Sequence, residues 1–259
     1  MKKKEELILQ LVEYPPIWEN VELNLNFLTQ LLEDSHRGDI IILPEMFNTG
    51  FSMNASKISE KMNGITVTWM KNISLQYNIA ICGSLAIEEE HQYYNRFVFI
   101  AQGEILAQYD KHHLFSYSGE SKSYTAGNRK VVLEYLGWKI CPMVCFDLRF
   151  PVWNRNVENY DLMINVASWP DSRMEVWDTL LKARSIENVS YVCGVNRVGT
   201  DGMNLNYTGH SVIFSPIGKE LTLRKEKEYL YQQAISLDEV RKWRDKYRFL
   251  DERDKFSMP

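Results

Sequence analysis

The fold is best predicted from one stretch of sequence, Trp138-Lys139-Ile140-Cys141-Pro142-Met143-Val144, and from the residues that follow it, Cys145-Phe146-Asp147-Leu148-Arg149. The first seven residues are apolar enough for a buried strand, and the polarity changes abruptly at Cys145. Pro151 follows, and its fixed φ and missing N–H suit the first turn of a helix. A side chain at such a strand-to-helix turn is lifted out of the sheet, so Cys145 is predicted to stand at its edge.

The same alternation of strands and helices continues on both sides of this stretch. Apolar residues at three-four spacing predict helices after Pro15-Pro16, around residues 67–76 and along residues 174–188. The first helix is predicted from Trp18, Val21, Leu25, Leu28 and Leu32. Short apolar runs predict strands at 7–12, 39–43, 79–85, 96–101, 104–109, 131–135, 161–167, 191–195, 211–214 and 228–234, with turns at 199–202 and 216–218.

This order of elements predicts an α/β fold in which layers of helix and sheet form a sandwich. No linker, composition break or repeat of fixed period divides the chain, so residues 1–259 are predicted to form a single domain. Residues 237–259 mix charged residues with Trp243, Tyr247, Phe249 and Phe256. They predict a short helix and an arm that packs on a surface, and we expect that surface to belong to a second subunit.

Composition excludes several classes of function. The formal net charge of −4 and the pI near 5.8 give no basic surface for nucleic acid or for acidic lipid. At the amino end, Met1-Lys2-Lys3-Lys4 is followed by two glutamates, and the next apolar run is too short and too interrupted for a signal peptide or a membrane span. The sequence therefore predicts a cytoplasmic protein that acts on small molecules.

The four cysteines do not form a disulfide framework in a chain of this size. They are Cys82, Cys141, Cys145 and Cys193, and three of them lie in strongly apolar stretches where reduced core cysteines are common. From the local pattern alone, Cys145 fits a nucleophile and an inert core residue equally well. A zinc site built from Cys141, Cys145, His112 and His113 would have the wrong spacing, and no metal or other cofactor is expected.

A cysteine nucleophile needs a neighbouring base or cation, because only a few per cent of a free thiol is ionised at neutral pH. The histidines are poor candidates: His36, His91 and His210 stand in no suggestive context, and the pair His112-His113, in a strand-like segment, would point to opposite sides. A carboxylate is the alternative. Glu45 ends the strand at 39–43 and Lys111 follows the strand at 104–109. Each alone fits a surface residue, but together with Cys145 they mark three strand ends.

Three ordered blocks of the sequence resemble the signature blocks of the nitrilase superfamily of carbon–nitrogen hydrolases. They are Leu43-Pro44-Glu45-Met46-Phe47, the segment Tyr109-Asp110-Lys111-His112-His113-Leu114-Phe115, and the segment from Val144 to Pro151. Further segments, at 165–170, 183–188 and 196–199, resemble the YafV-type bacterial omega-amidases of that superfamily. The resemblance covers nearly the whole chain and implies a four-layer αββα sandwich and a homodimer.

The resemblance also implies how the site works. Glu45 would be the general base, Lys111 the oxyanion stabiliser and Cys145 the nucleophile, with the N–H of Phe146 as a second oxyanion donor. A second glutamate that positions substrate is matched to Glu120, although the loop at 116–124 varies in length and a solvated loop carboxylate is the alternative.

Three more residues are candidates for substrate contacts. Arg149 either binds a substrate carboxylate or pairs with an acidic neighbour such as Asp147. Phe47 and Trp169 either line the pocket or belong to the core.

The implied reaction is hydrolysis of a small omega-amide of a dicarboxylic acid, of the 2-oxoglutaramate or 2-oxosuccinamate type, through a cysteine thioester. The alternatives are a nitrilase, an N-carbamoyl amidase and a non-catalytic binding module of the same fold. The intact Glu45, Lys111 and Cys145 argue against the last of these.

Overall fold

The structure is a computed structural model, and it describes residues 2–33 and 38–256. Met1, His36 and residues 257–259 of the predicted arm lie outside the described residues. The helices, numbered in chain order, are α1 (Val21–Leu32), α2 (Ala55–Ile58), α3 (Ile65–Tyr77), α4 (Glu120–Ser123), α5 (Pro151–Asn154), α6 (Met174–Asn188) and α7 (Leu237–Tyr247). The strands are β1 (Glu6–Val12), β2 (Ile40–Ile42), β3 (Ala80–Glu89), β4 (Gln92–Ala101), β5 (Glu104–Asp110), β6 (Leu133–Tyr135), β7 (Trp138–Val144), β8 (Leu162–Ala167), β9 (Tyr191–Asn196), β10 (Val198–Thr200), β11 (Asn206–Thr208), β12 (Val212–Phe214), β13 (Glu220–Leu221), β14 (Arg224–Lys227) and β15 (Leu230–Ser236).

Two large sheets form the middle of the molecule. The first has the strand order β14-β15-β1-β2-β3-β4-β5, and the second has the order β13-β12-β9-β8-β7-β6. In the first sheet β1, β2 and β3 are parallel, and in the second β7, β8 and β9 are parallel. Antiparallel strands flank each parallel centre. Each sheet therefore collects the carboxyl ends of its central strands at one edge, where the βα connections lie.

The two sheets pack face to face and are covered by helices on their outer faces. β1 lies against β9 and β4 against β7, and one apolar cluster joins residues of both sheets. Because side chains alternate along a strand, Ile40 and Ile42 of β2 enter this central cluster, while Ile41 joins the cluster beneath α1 and α3. On the other side, Gly194 of β9 leaves room for Trp177 and Leu181 of α6. The layers are therefore helix, sheet, sheet and helix, as the family resemblance implied.

The predicted elements lie where the sequence indicated, with small shifts at their ends. All predicted strands are present, and β7 has the predicted bounds. The first helix begins at Val21 rather than at Trp18, because the side chain of Asn20 caps it by accepting a hydrogen bond from the Leu23 N–H at 3.0 Å. Trp18 instead packs beside Gly50 and Gly202, where a Cβ on either glycine would meet its ring. The apolar spacing in the sequence therefore begins at Trp18, three residues before the helix itself.

The hairpin of β10 and β11 was not predicted, and the turn expected at residues 199–202 is displaced. Gly199 lies within β10, and the turn comes after it, where the carboxylate of Asp201 accepts hydrogen bonds from the N–H groups of Met203 and Leu205. An aspartate forms such a turn through its own side chain, so a turn here does not depend on the flanking glycines. The short segments α2, β13 and β14 were also not predicted, since two to four residues carry too little periodicity.

The carboxyl arm docks on its own chain with one face. Arg244 of α7 donates to the carboxylate of Asp161 at 2.9 Å and to the carbonyl of Val189 at 3.0 Å. A ladder of aromatic rings, which we call the aromatic ladder, runs along the other face. Its ring centroids are 5.7 Å apart from Trp243 to Tyr247 and 5.0 Å apart from Tyr247 to Phe249, and the last two rings are exposed.

Candidate active site

Three strand ends meet where the edges of the two sheets come together. Glu45 follows β2, Lys111 follows β5, and Cys145 follows β7. The ammonium Nζ of Lys111 lies 2.9 Å from Oε1 of Glu45, and the charges of both residues shift the pKa of the neighbouring Cys145 thiol. Glu45 and Lys111 have no solvent-exposed surface. The fold thus brings together the three residues that the sequence placed at strand ends.

The carboxylate of Glu45 is held from several directions. Its Oε1 accepts hydrogen bonds from Lys111 at 2.9 Å and from the side-chain amide of Asn95 at 2.8 Å. Its Oε2 accepts one from the backbone N–H of Ser168 at 2.8 Å. These donors come from both sheets, because Asn95 lies on β4 and Ser168 follows β8. A carboxylate bound in this way has one orientation, which a proton-transfer group requires.

Glu120 lies in the same cluster rather than in solvent. Both of its oxygens are 2.9 Å from Nζ of Lys111, and Oε1 also accepts from Asn95 at 3.2 Å. Oε2 accepts from the backbone N–H of Phe115 at 2.5 Å. Glu120 is fully buried at the start of α4. The alternative of a solvated loop carboxylate is therefore wrong, because the chain folds this loop back onto Lys111.

Burial and mutual charge determine the protonation states in this cluster. Burial alone would lower the pKa of Lys111, but the charges of Glu120 and Glu45 outweigh it and raise that pKa above its ordinary value. Burial raises the pKa of Glu120, and the charge of Glu45 adds to this while Lys111 opposes it. Burial and the charge of Glu45 likewise raise the pKa of the Cys145 thiol well above its ordinary value, against the effect of Lys111. In the free protein Lys111 is therefore a cation and Cys145 a neutral thiol.

The backbone at Cys145 is strained in the manner of a nucleophile elbow. Cys145 has a φ of +47°, a left-handed conformation that costs a β-carbon-bearing residue on the order of 1–2 kcal/mol. A 3-10 turn, Cys145–Arg149, follows at once. Of the four cysteines, Cys145 is 8% exposed and the other three are 0% exposed. It is the one that lines a cleft.

Asp147 fastens this elbow to the segment that carries Lys111. Its carboxylate accepts hydrogen bonds from the Tyr109 hydroxyl at 2.7 Å, the His113 N–H at 2.8 Å and the Val144 N–H at 3.2 Å. The expectation of a strand-like segment at His112-His113 is wrong. β5 ends at Asp110, and the chain bends so that the two imidazoles meet edge to face at 4.4 Å. The histidine His113 supports the elbow through Asp147 and is not a base for the thiol.

The cleft above Cys145 has a volume of about 830 Å³. Phe146, Ser168 and Trp169 line it beside Cys145. Phe47 does not line it: the turn after Pro44 directs this ring into the cluster beneath the helices, where its centroid is 6.1 Å from that of Trp69. The expectation of Phe47 as a pocket residue is therefore replaced by a core position, which was the alternative.

Arg149 lies exposed at the mouth of this cleft, with its guanidinium 5.6 Å from the centroid of the Trp169 ring. It does not pair with Asp147, whose oxygens are occupied by the elbow contacts. The alternative in which Arg149 pairs with Asp147 is therefore wrong.

The cleft also contains residues that the sequence did not single out. Arg173 is half-buried in its wall, over the ring of Phe115 at 4.8 Å. Tyr207 of β11 donates from its hydroxyl to Asp201 at 2.8 Å, and its ring lies 4.6 Å from the guanidinium carbon of the fully buried Arg197. Tyr207 and Asp201 belong to the hairpin that carried no strand pattern. Arg173 lies four positions after Trp169 in the sequence, and this proximity to a candidate pocket residue was the available signal that Arg173 could also reach the cleft.

Residues 2–33 and 38–256 hold no group of three or more His, Cys, Asp or Glu side chains arranged to bind a metal ion. None of its helices has the length and apolar character needed to cross a membrane.

Comparison with known proteins agrees with this geometry. The profile of the carbon-nitrogen hydrolase family matches residues 9–245. The chain is 40% identical over 254 residues to omega-amidase YafV of Yersinia enterocolitica, covering 97% of this chain and 98% of that one. It is 30% identical over 226 residues to the 2-oxoglutaramate amidase of Bacillus subtilis, covering 85% and 86%.

A solved structure gives the same result. The crystal structure of a CN-hydrolase superfamily protein from Xanthomonas campestris, which has an arsenic adduct in its active site, superimposes with a TM-score of 0.95 at 36% identity. The match covers 99% of this chain and 100% of that one. The fold and the family implied by the sequence blocks are confirmed, and the chain belongs to the carbon-nitrogen hydrolase family.

Proposed function

We propose that this hydrolase is an omega-amidase, which converts a small omega-amide of a dicarboxylic acid to the dicarboxylate and ammonia. The observation that carries the proposal is the buried Lys111, bonded to Glu45 and Glu120 and adjacent to Cys145 at the floor of an open cleft. Relatives named omega-amidase and 2-oxoglutaramate amidase match nearly the whole chain, and they support a substrate of the 2-oxoglutaramate or 2-oxosuccinamate type.

In the first half of the reaction Cys145 attacks the amide carbon. Glu45, whose charge already acts on the thiol, takes its proton as the carbon–sulfur bond forms. The carbonyl oxygen becomes an oxyanion, which the ammonium of Lys111 and the N–H of Phe146 stabilise. Glu45 then gives the proton to the departing nitrogen, the carbon–nitrogen bond breaks, and ammonia leaves a thioester on Cys145.

In the second half water replaces ammonia. Glu45 accepts a proton from water, the hydroxide attacks the thioester carbon, and the same two donors hold the oxyanion. The carbon–sulfur bond breaks, the dicarboxylate leaves, and the thiolate recovers its proton from Glu45. Glu120 keeps Lys111 charged and in place throughout, because both of its oxygens face Nζ.

The arrangement suits a nucleophile that is inert until substrate arrives. The raised pKa of Cys145 keeps the sulfur protonated in the free enzyme. The negative charge that Glu45 loses on accepting the proton reappears on the oxyanion, next to Lys111. Acid–base assistance of this kind contributes ~10²–10⁴ in rate, and each oxyanion donor ~10²–10³. Loss of any of the three residues is therefore expected to be crippling.

The test is ammonia release across a panel of substrates. The panel contains 2-oxoglutaramate, 2-oxosuccinamate, a simple nitrile and an N-carbamoyl amino acid. We expect turnover of the two omega-amides, and no ammonia from a Cys145→Ala variant whose circular dichroism matches that of the wild type. Turnover of only the nitrile or the carbamoyl compound would assign one of the alternative activities, and no turnover of any substrate would favour the non-catalytic module.

We also propose that the protein is a cytoplasmic homodimer. Four free cysteines support a reducing compartment. The exposed part of the aromatic ladder, Tyr247 and Phe249, supports a second copy as the occupant of that face. Sedimentation velocity should give a dimer for the wild type and a monomer for Phe249→Asp, whereas Leu106→Asp on exposed β5 should remain dimeric. A monomeric wild type would contradict this.

A further inference from the structure

The mouth of the cleft holds two arginines that have no carboxylate partner in the described part of the chain. The guanidinium of Arg149 lies over Trp169, and that of Arg173 lies over Phe115. The ion pairs formed among residues 2–33 and 38–256 include neither arginine. A guanidinium stacked on an aromatic ring keeps its planar fork of N–H donors free for an anion. The mouth therefore presents positive charge that its own side chains do not neutralise.

One indole ring connects these two arginines. The Nε1 of Trp169 donates to the carbonyl of Arg173 at 2.8 Å, while its ring supports Arg149. The backbone of Trp169 is itself fixed, because the side chain of Asn196 accepts from its N–H and donates to its carbonyl, both at 2.8 Å. The buried Trp169 thus fixes the backbone of Arg173 and provides the ring beneath the guanidinium of Arg149. Preorganisation of this kind lowers the entropy lost when a ligand binds.

Arg173 is the better placed of the two arginines for contact with a substrate that is bound at Cys145. It lies over Phe115, whose ring centroid is 5.0 Å from that of Phe146. The backbone of Phe115 is bonded to Glu120, so this aromatic support is tied to the cluster at the floor. Arg173 is half-buried whereas Arg149 is exposed, and solvent screens the charge of a half-buried group less.

The acidic residue that lines the cleft does not compete for these cations. Asp201 is the one carboxylate among the described lining residues. Its Oδ1 accepts from the N–H groups of Met203 and Leu205 at 2.8 and 2.9 Å, and its Oδ2 accepts from the Tyr207 hydroxyl at 2.8 Å. Asp201 therefore fixes the turn of the hairpin and the orientation of the Tyr207 side chain. What the mouth lacks is an anion, and a carboxylate on the ligand would provide it.

We propose that Arg173, assisted by Arg149, binds the free carboxylate of the amide substrate and is the main determinant of specificity for a carboxylate-bearing amide. This inference rests on the proposed function, since it assumes that the amide carbon reacts at Cys145. Arg173 donates to the carboxylate through its planar fork, from the side of Phe115, and Arg149 approaches from the side of Trp169. The carbon chain of the substrate, between its carboxylate and its amide, lies across the rings of Phe115 and Phe146 and reaches Cys145 at the floor.

The experiment compares an amide that carries a carboxylate with a neutral amide of the same length. Succinamate and butanamide form such a pair. We expect Arg173→Met to lower the ratio of kcat/KM for succinamate to that for butanamide by ~10–100-fold, the range of one or two charge-assisted hydrogen bonds, mostly through KM. Arg149→Met should lower it by ~3–10-fold because its exposed charge is screened. Arg173→Lys, which keeps the charge but not the fork, should fall between wild type and Arg173→Met.

The matched control is Arg129→Met, which removes an exposed arginine outside the cleft and should leave the ratio unchanged. Equal losses on both amides for Arg173→Met, or an unchanged ratio, would overturn the proposal. A second measurement needs no turnover: glutarate should bind to Cys145→Ala, and at least tenfold more weakly to the double variant with Arg173→Met, by calorimetry. If the wild type hydrolyses no carboxylate-bearing amide but glutarate binding still depends on Arg173, the proposed function fails and the carboxylate site stands.

Discussion

The floor and the mouth of the cleft are built in opposite ways. At the floor, Glu45, Lys111 and Glu120 are 0% exposed, and each carboxylate oxygen accepts at least one hydrogen bond from within the protein. At the mouth, Arg149 is exposed and Arg173 has no carboxylate partner within the described chain. The charged groups of the floor already have hydrogen-bond partners before any substrate arrives. Those of the mouth are balanced only when an anion binds.

This difference separates the two tasks of the enzyme. The chemistry of breaking a carbon–nitrogen bond is the same for any amide, so its groups can be buried and fixed, and burial strengthens their interactions. The choice of amide depends on the part of the substrate away from the reacting carbon, so it falls to groups that solvent and ligand can reach. Substitutions at the floor should therefore change kcat and stability together, while substitutions at the mouth should change KM and leave stability alone.

The largest effect is expected when the cation of the floor is removed. Lys111→Met leaves Glu45 and Glu120 buried beside each other without a counter-ion. We expect turnover to fall by at least ~10³-fold, since the proposed oxyanion donor is lost together with the cation that holds Glu45 in place. We also expect a loss of ~3–5 kcal/mol in the free energy of unfolding, the usual effect of breaking a buried ion pair.

The pH dependence of this variant has a definite sign. In the wild type the folded-state pKa of Lys111 is raised above its ordinary value of 10.5, so its stabilisation is present below that pH and is lost only as pH rises further. In Lys111→Met nothing opposes the burial and the charge of Glu45 that raise the pKa of Glu120, so this folded-state pKa rises further above its ordinary value, and stability falls as pH increases from there towards neutrality. Denaturant unfolding at pH values of about 5 and about 8, which span this window, measures the change in the free energy of unfolding. Lys122→Met, at an exposed position of α4, is the control, and equal pH dependence of the two variants would contradict the assignment.

A second substitution at the floor should change two reactivities of Cys145 in opposite directions. Glu45→Gln removes the proposed general base, and we expect amide turnover to fall by ~10²–10⁴-fold. It also removes a negative charge that raises the pKa of the thiol, while Lys111, which lowers that pKa, remains. The thiolate fraction at neutral pH therefore increases. Although nucleophilicity falls somewhat with pKa, alkylation of Cys145 by iodoacetamide should become several-fold faster.

The other cysteines give an internal reference for this alkylation. Cys82, Cys141 and Cys193 are 0% exposed, so mass spectrometry should find label on Cys145 and none on these three in both proteins. Slower alkylation in parallel with slower turnover would show that Glu45 activates the sulfur without substrate, and that charge does not control the thiolate population.

The contrast between floor and mouth also explains what could be predicted from the sequence. The ends of β2, β5 and β7 are visible where an apolar run meets a polar residue, and these ends deliver Glu45, Lys111 and Cys145. Parallel strands then bring such ends to a common edge. Glu120 follows no strand and lies at the start of a four-residue helix, so it was found through family resemblance alone.

The errors have a common cause, which is that the direction of a side chain in a turn depends on tertiary contacts. Phe47 follows Met46, whose φ is +45°, and this turn sends the phenyl ring away from the cleft. The strand pattern at His112-His113 ends because Lys111 bonds through its backbone to Asn95 and Gly127 instead of continuing a ladder. Arg149 and Arg173 look alike in the sequence, and their different exposure follows from packing on separate aromatic rings.

The smallest effect is expected at the tip of the β10–β11 hairpin, where Met203 lines the mouth of the cleft and is 71% exposed. Its backbone N–H bonds to Asp201, so Met203→Ala removes side-chain contact with the substrate and leaves the turn intact. We expect KM to rise ~2–3-fold, because a partly exposed side chain contributes about 0.5 kcal/mol of apolar contact, and the free energy of unfolding to change by less than ~0.5 kcal/mol. Ile217→Ala, an exposed apolar residue outside the cleft, is the control and should change neither constant. A fall in kcat of ~10-fold for Met203→Ala would instead mean that the hairpin closes over the substrate during the reaction, and the mouth would then share in the chemistry assigned to the floor.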